Sequence, residues 1–110
     1  MNATTVHWKK ICAASDIAHE LGVCAKIGDQ QIAVFRLQDK IYAIHNFDPF
    51  SGANVLARGI VGDLKGRDVV ASPVYKHHFD LATGECLEDS SVKLPVYAVR
   101  TEGEFIEIAC

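Results

Sequence analysis

The sequence predicts an all-β domain of small antiparallel sheets packed as a sandwich or partial barrel, with at most one short helix. Short apolar runs recur along the chain, glycine-containing turn signals separate them, and only one stretch has a helical pattern. That stretch runs from Ala13 to Gly22, enough for about two turns, with Ser15 or Asp16 as N-cap and Gly22 as the stop. Residues 23–27 and 31–37 read as strands around Gly28-Asp29, a tight-hairpin dipeptide. Residues 41–45 follow as a strand after the Gln38-Asp39-Lys40 turn, and residues 61–66 read as a turn leading into Val69-Val70-Ala71. Val92, Leu94, Val96 and Ala98 alternate as the inner face of a half-buried strand. Thr101-Glu102-Gly103 then turns the chain, and residues 104–109 return as the last strand. The longest stretch without strand signal, 46–59, is where a compact domain would carry function.

At 110 residues the chain is expected to form one domain, spanning 1–110. Apolar residues make up 49% and charged residues 23%, an ordinary globular balance. A net charge of −3 with scattered Lys and Arg gives no electrostatic footprint for nucleic acid. No apolar run reaches membrane-spanning length, and the first ten residues lack a secretory apolar core, so the expected location is cytoplasmic. The four cysteines, Cys12, Cys24, Cys86 and Cys110, include no close pair of the kind zinc and iron–sulfur loops use. In a cytosolic protein they are expected to be free and mostly buried thiols, with terminal Cys110 the exception.

Two segments carry the functional signal: Asp48-Pro49-Phe50, and Ser72-Pro73-Val74-Tyr75 closed by Phe79-Asp80-Leu81-Ala82-Thr83-Gly84. Each follows an apolar run. The pair resembles the two loops of the Rieske domain, Cys-Pro-His and Cys-Pro-x-His, which hold a [2Fe–2S] cluster. Here Asp48 and Ser72 stand at the cysteine positions, and Phe50 and Tyr75 at the histidine positions. A Rieske centre needs two thiolates on one iron and two imidazoles on the other. Phe50 has no donor atom, and Asp48 and Ser72 offer hard oxygens where the chemistry selects soft sulfur. Tyr75 alone cannot hold two irons, so no cofactor is expected in this chain.

A closer resemblance is carried by Trp8-Lys9-Lys10-Ile11-Cys12, Gly22-Val23-Cys24-Ala25, Ile32-Ala33-Val34-Phe35-Arg36 and Tyr42-Ala43-Ile44. Asn46-Phe47-Asp48-Pro49-Phe50, Val55-Leu56-Ala57-Arg58-Gly59 and Ala71-Ser72-Pro73 are its most specific parts. Together they are similar to the small subunits of cytoplasmic NAD(P)H-dependent nitrite reductase, which are Rieske-like proteins. The resemblance implies a large-subunit partner that carries FAD, an iron–sulfur cluster and sirohaem and reduces nitrite to ammonium in nitrate assimilation. It also implies that this chain, alone, is an inactive, non-catalytic accessory. The alternatives are a free-standing, cluster-free Rieske-fold binding module of another oxidoreductase, and a [2Fe–2S] ferredoxin with unusual ligands.

Residue by residue, Asp48 before Pro49 is a turn opener whose carboxylate accepts from downstream N–H groups, or a charge presented to the partner. Phe50 and Tyr75 are expected either to fill the space of a cluster or to anchor an interface. Arg58 and Lys76 are further candidate contacts, and Arg58-Gly59 reads otherwise as a glycine-assisted turn. His77 and His78, as strand neighbours, point to opposite faces and cannot share a metal, and His7, His19 and His45 lack paired spacing with them. Lys76-His77-His78 reads as a basic patch, and Glu85, Glu88 and Asp89 as a solvated edge.

Overall fold

The computed structural model describes residues 8–17, 21–37 and 40–109. Among the described residues, twelve strands form four antiparallel sheets. The first joins β1 (Trp8–Ala13), β12 (Phe105–Ala109) and β11 (Val99–Glu102), in that order. The second, ordered β10-β4-β3-β2, contains β2 (Gly22–Ile27), β3 (Gln30–Leu37), β4 (Lys40–His45) and β10 (Val96–Tyr97). β5 (Phe47–Asp48) and β6 (Ala53–Asn54) make a small hairpin, while β7 (Ile60–Leu64), β8 (Arg67–Ala71) and β9 (His78–Asp80) make the last sheet.

The β3 strand explains how the sheets pack. Successive side chains on a strand face opposite ways, and here both faces are buried. Ala33 and Phe35 enter a core with Ile44, Leu56, Val61, Val70, Phe79, Leu81, Cys86 and Leu94. Ile32 and Val34 enter a second core with Ile17, Ala43, Ile106 and Ile108. The run Ile32-Ala33-Val34-Phe35 is therefore continuously apolar, as a strand covered on both faces should be. This central wall supports the loop pair on the first-core side.

The hairpin at Gly28-Asp29 forms as expected, in the register Ile27↔Gln30, with Gly28 at φ 60°. Several expectations are corrected. Ala13 pairs with Phe105, and the Ala14 N–H donates to the Glu104 carbonyl, so strand pairing takes the start of the anticipated helix. Only a 3-10 turn, Ala14–Asp16, survives there; Asp16 accepts from the Ala13 N–H at 3.1 Å rather than serving as N-cap. Residues 18–20 lie outside the described residues. Gly22 is no helix stop either. It opens β2 opposite Phe35, whose Cε1 would lie 2.5 Å from a Cβ added at Gly22.

Residues 61–64, read as part of a turn, belong to β7; Lys65-Gly66 alone makes the turn, both at positive φ as a type I′ hairpin requires. The stretch around Val92–Ala98 is only fragmentarily a strand. Leu94 is buried, but Val96 and Ala98 are exposed, and ladder pairing to β4 is confined to Val96 and Tyr97. Pro95 has no N–H to continue a ladder. In the final hairpin Thr101 and Glu102 belong to β11, and the turn is Gly103-Glu104. The Gln38-Asp39 part of the earlier predicted turn lies outside the described residues.

The thiols divide by exposure. Cys12, Cys24 and Cys86 are free, as expected, but only Cys86 is buried; Cys12 is half-buried and Cys24 exposed. Cys110 lies outside the described residues. Burial pushes the Cys86 thiol up, which keeps it protonated and inert. Under native conditions an alkylating reagent should therefore modify Cys24 while Cys86 reacts only after unfolding, a difference peptide mass spectrometry reads directly.

Candidate functional site

The strandless reading of 46–59 gives way to a compact, hydrogen-bonded loop. Asn46, buried at the end of β4, organises it: its backbone carbonyl accepts from the Leu56 N–H at 3.1 Å and its Oδ1 from the Ala57 N–H at 2.7 Å. These bonds set the 3-10 turn Leu56–Arg58, which leaves Arg58 exposed. Asn46 escaped the sequence reading. Its place, an amide at the end of an apolar run and before an Asp-Pro turn, was the available signal. Gly59 follows with φ −74°, so it is not a turn glycine of the left-handed kind. Its missing side chain is what matters: a Cβ there would run into the Ala71 carbonyl oxygen and sit 2.7 Å from Val70 Cγ2.

Asp48 lies completely inside the protein, with no exposed surface. Its Oδ1 accepts from the Phe50 N–H at 2.9 Å, and its Oδ2 from Ser51 Oγ at 3.0 Å. Its carbonyl accepts from the Gly52 N–H at 2.8 Å, closing the loop between β5 and β6. The turn role expected of Asp48 is therefore present, whereas a charge presented outward is not. A fourth partner comes from the other loop: Ser72 Oγ, 1% exposed, donates to Asp48 Oδ2 at 2.5 Å. Asp48 and Ser72, the two residues that the sequence resemblance sets against Rieske cysteines, are thus bonded directly to each other. Burial by itself pushes the Asp48 carboxyl up, but bonds from Ser72, from the Phe50 N–H and from Ser51 outweigh it and hold the group below the usual carboxylate range.

Phe50 and Tyr75, expected at the histidine positions, separate. Phe50 is half-buried against the first core and stacks on His77, ring centroids 3.7 Å apart and planes 6° from parallel. Phe79 lies beside it at 6.2 Å, tilted by 41°. Tyr75 instead is 62% exposed and fills no internal space. Val74 and Lys76 are exposed with it. So the structure brings Asp48, Ser72 and Phe50 together inside, and leaves Tyr75, Lys76 and Arg58 outside.

The anticipated Lys76-His77-His78 patch does not exist as one surface. His77 is half-buried under the Phe50 ring, and His78 Nδ1 lies 2.7 Å from Glu88 Oε2. The acidic edge is likewise bonded rather than merely solvated: Glu85 meets Arg67 at 3.0 Å, Glu88 also accepts from the His78 N–H at 2.7 Å, and Asp89 accepts from Ser91. Arg67 also meets Asp80 at 2.6 Å, tying β8 to β9 just behind the second loop. Among the described residues no three His, Cys, Asp or Glu side chains converge as metal ligands. His7 and His19 lie outside those residues.

The four residues that the sequence resemblance sets at cluster-ligand positions do not fit a [2Fe–2S] cluster. One is a hydrocarbon ring already stacked on a neighbour, two are oxygen groups that satisfy each other, and the fourth is turned to solvent.

Comparison with known proteins agrees with the fold. The family model of the Rieske-like [2Fe–2S] domain matches residues 7–109. The chain is 41% identical over 103 residues to the small subunit of nitrite reductase (NADH) of Escherichia coli, covering 92% of this chain and 95% of that one. It superimposes with a TM-score of 0.92 on a Mycobacterium tuberculosis crystal structure assigned as an NADH-dependent nitrite reductase small subunit. That pair is 42% identical, with 97% of each chain covered. A segment of the Klebsiella oxytoca nitrite reductase [NAD(P)H] large subunit, 10% of its length, is 38% identical over 95 residues to 86% of this chain. The all-β fold, the loop pair and these end-to-end matches place the chain in the nitrite reductase small-subunit family of Rieske-like domains.

Proposed function

We propose that this chain is a cluster-free accessory subunit of a cytoplasmic NAD(P)H-dependent nitrite reductase, acting as a single domain in nitrate and nitrite assimilation. It binds a large subunit that carries FAD, an iron–sulfur cluster and sirohaem and performs the reduction of nitrite to ammonium. The chain itself supplies no redox centre and is inactive alone. One observation carries the cluster-free part: the Asp48–Ser72 hydrogen bond joins the two positions that thiolates would have to occupy around one iron. The partner assignment is supported by family membership, and by the Klebsiella large subunit, in which a similar segment is part of the same polypeptide.

The contact surface we assign is the exposed part of the loop pair: Tyr75 and Lys76 from the second loop, Arg58 from the 3-10 turn, and the open edge of Phe50. Aromatic and arginine side chains are the types enriched in interface anchors, and Tyr75 already stands free of the core. Co-purification of the tagged chain with the large subunit of the same organism, followed by an NADH- or NADPH-dependent nitrite assay, tests the reading. The complex should form and reduce nitrite, and the chain alone should not. Tyr75→Ala should weaken the complex by about 2 kcal/mol, roughly thirtyfold in Kd, without lowering the melting temperature. Failure of the intact large subunit to bind the chain would refute the assignment.

A further inference from the structure

We propose that the Asp48–Ser72 hydrogen bond is a metal-free clasp that closes the two loops on each other and so fixes Val74, Tyr75 and Lys76 in the position from which they meet the large subunit. The inference rests on the function proposed above and adds the device that makes the contact surface rigid. In a Rieske centre, iron bridges the cysteine positions of the two loops. Here that bridge is one hydrogen bond between a buried carboxylate and a buried hydroxyl, reinforced by the Phe50–His77 stack across the same two loops.

Ser72 is tied at every polar atom. Its N–H donates to the His77 carbonyl at 2.9 Å, and its carbonyl accepts from the Lys76 N–H at 3.0 Å. Its Oγ donates to Asp48 and accepts from the Val74 N–H at 3.4 Å. The segment from Val74 to Lys76 thus projects from a base pinned at both ends, Val74 45% and Tyr75 62% exposed above a serine that is 1% exposed. Without the bond to Asp48 the second loop keeps its backbone turn but loses this attachment to the first.

Lys76 adds an independent reason to read the segment as a presented surface. It adopts φ 63°, the left-handed region that disfavours every residue with a Cβ. Lys65 shares that conformation, but within a two-residue hairpin that demands it. At position 76 a glycine would hold the same backbone with less strain. A long cationic side chain on a strained, exposed loop residue is what a contact group looks like when its charge is needed at that spot.

The test uses the full chain with the large subunit of the same organism, and reads amide exchange and affinity separately. Ser72→Ala removes the donor of the clasp and leaves the bonds within the first loop. It should speed exchange of the Ser72 and Lys76 amides, whose own acceptors are backbone carbonyls that the substitution keeps, about tenfold or more, and weaken the complex about tenfold. Asp48→Asn keeps the shape and can still bond both loops, so it should restore exchange and affinity close to the unmodified chain. Lys76→Gly should leave the melting temperature unchanged or raised while weakening the complex. A folded Ser72→Ala with unchanged exchange and affinity overturns the clasp. Lys76→Gly that binds as tightly as the unmodified chain overturns it too, however Ser72→Ala folds. Failure of the unmodified chain to bind the large subunit overturns the function proposed above, and the clasp's role with it.

Discussion

Asp48→Ala should destabilise the fold by about 3 kcal/mol, because it strips the acceptor from Ser72, Ser51 and the Phe50 N–H in a site closed to water. Each donor left unpaired in the interior costs the desolvation of that group, and a charged acceptor makes stronger bonds than a neutral one. Chemical denaturation should show the loss as a lower midpoint with an unchanged slope. Acidification approaches the same state in the unmodified protein. The folded state holds the Asp48 carboxyl below its unfolded pKa, so it binds fewer protons than the unfolded chain in the window between the two values. The stabilisation from Asp48 is therefore fully present above about pH 4 and is lost as pH falls through the lower, folded value. Asp80, held low against its own burial by Arg67 and the Thr83 and Ala82 N–H groups, acts in the same direction. Asp48→Asn should make the acid limb of the stability profile shallower; an unchanged limb would mean that Asp48 contributes nothing to it.

Phe35→Ala should cost about 4 kcal/mol, the usual loss for emptying an aromatic site in a closed core. The ring is wholly buried in the first core and lies over Gly22 of the neighbouring strand, which offers no side chain to collapse into the space. For a domain of this size that corresponds to a fall in melting temperature of roughly 15–30 °C. It is a large part of the 5–15 kcal/mol that stabilises a typical domain. The effect should also reach the site, because Phe35 shares its core with Leu56 of the 3-10 turn and with Phe79 beneath Phe50. A fall of only a few degrees would indicate that the core around the β2–β3 pair relaxes freely.

The all-β class, the hairpin at Gly28-Asp29 and the Rieske frame were legible in the chain because each is written in local chemistry: turn residues, short apolar runs and two spaced Pro-containing loops. What escaped depends on neighbours distant in sequence. Ala13-Ala14 has helical composition, yet Ala13 pairs with Phe105 and the Ala14 N–H donates to the Glu104 carbonyl. The Ile60–Leu64 strand was hidden by Gly62, which lies inside the strand and lacks the positive φ of the turn glycines. At the site, Asp48, Phe50 and Ser72 could be listed from the motif, and the loss of ligand chemistry followed from their atoms alone. That Asp48 would bond Ser72, 24 residues on, and that Phe50 would stack on His77, could not be read from spacing. Nor could Tyr75's exposure, since the same aromatic residue would suit a filled cavity equally well.

The central claim, that these loops hold each other rather than a cluster, is tested most directly by purifying the chain anaerobically and measuring its visible absorbance together with iron and acid-labile sulfide. The protein should be folded and colourless, with neither element bound in stoichiometric amount. A brown protein with iron and sulfide near two of each per chain, as a [2Fe–2S] centre requires, would contradict it and make electron transfer the function to pursue.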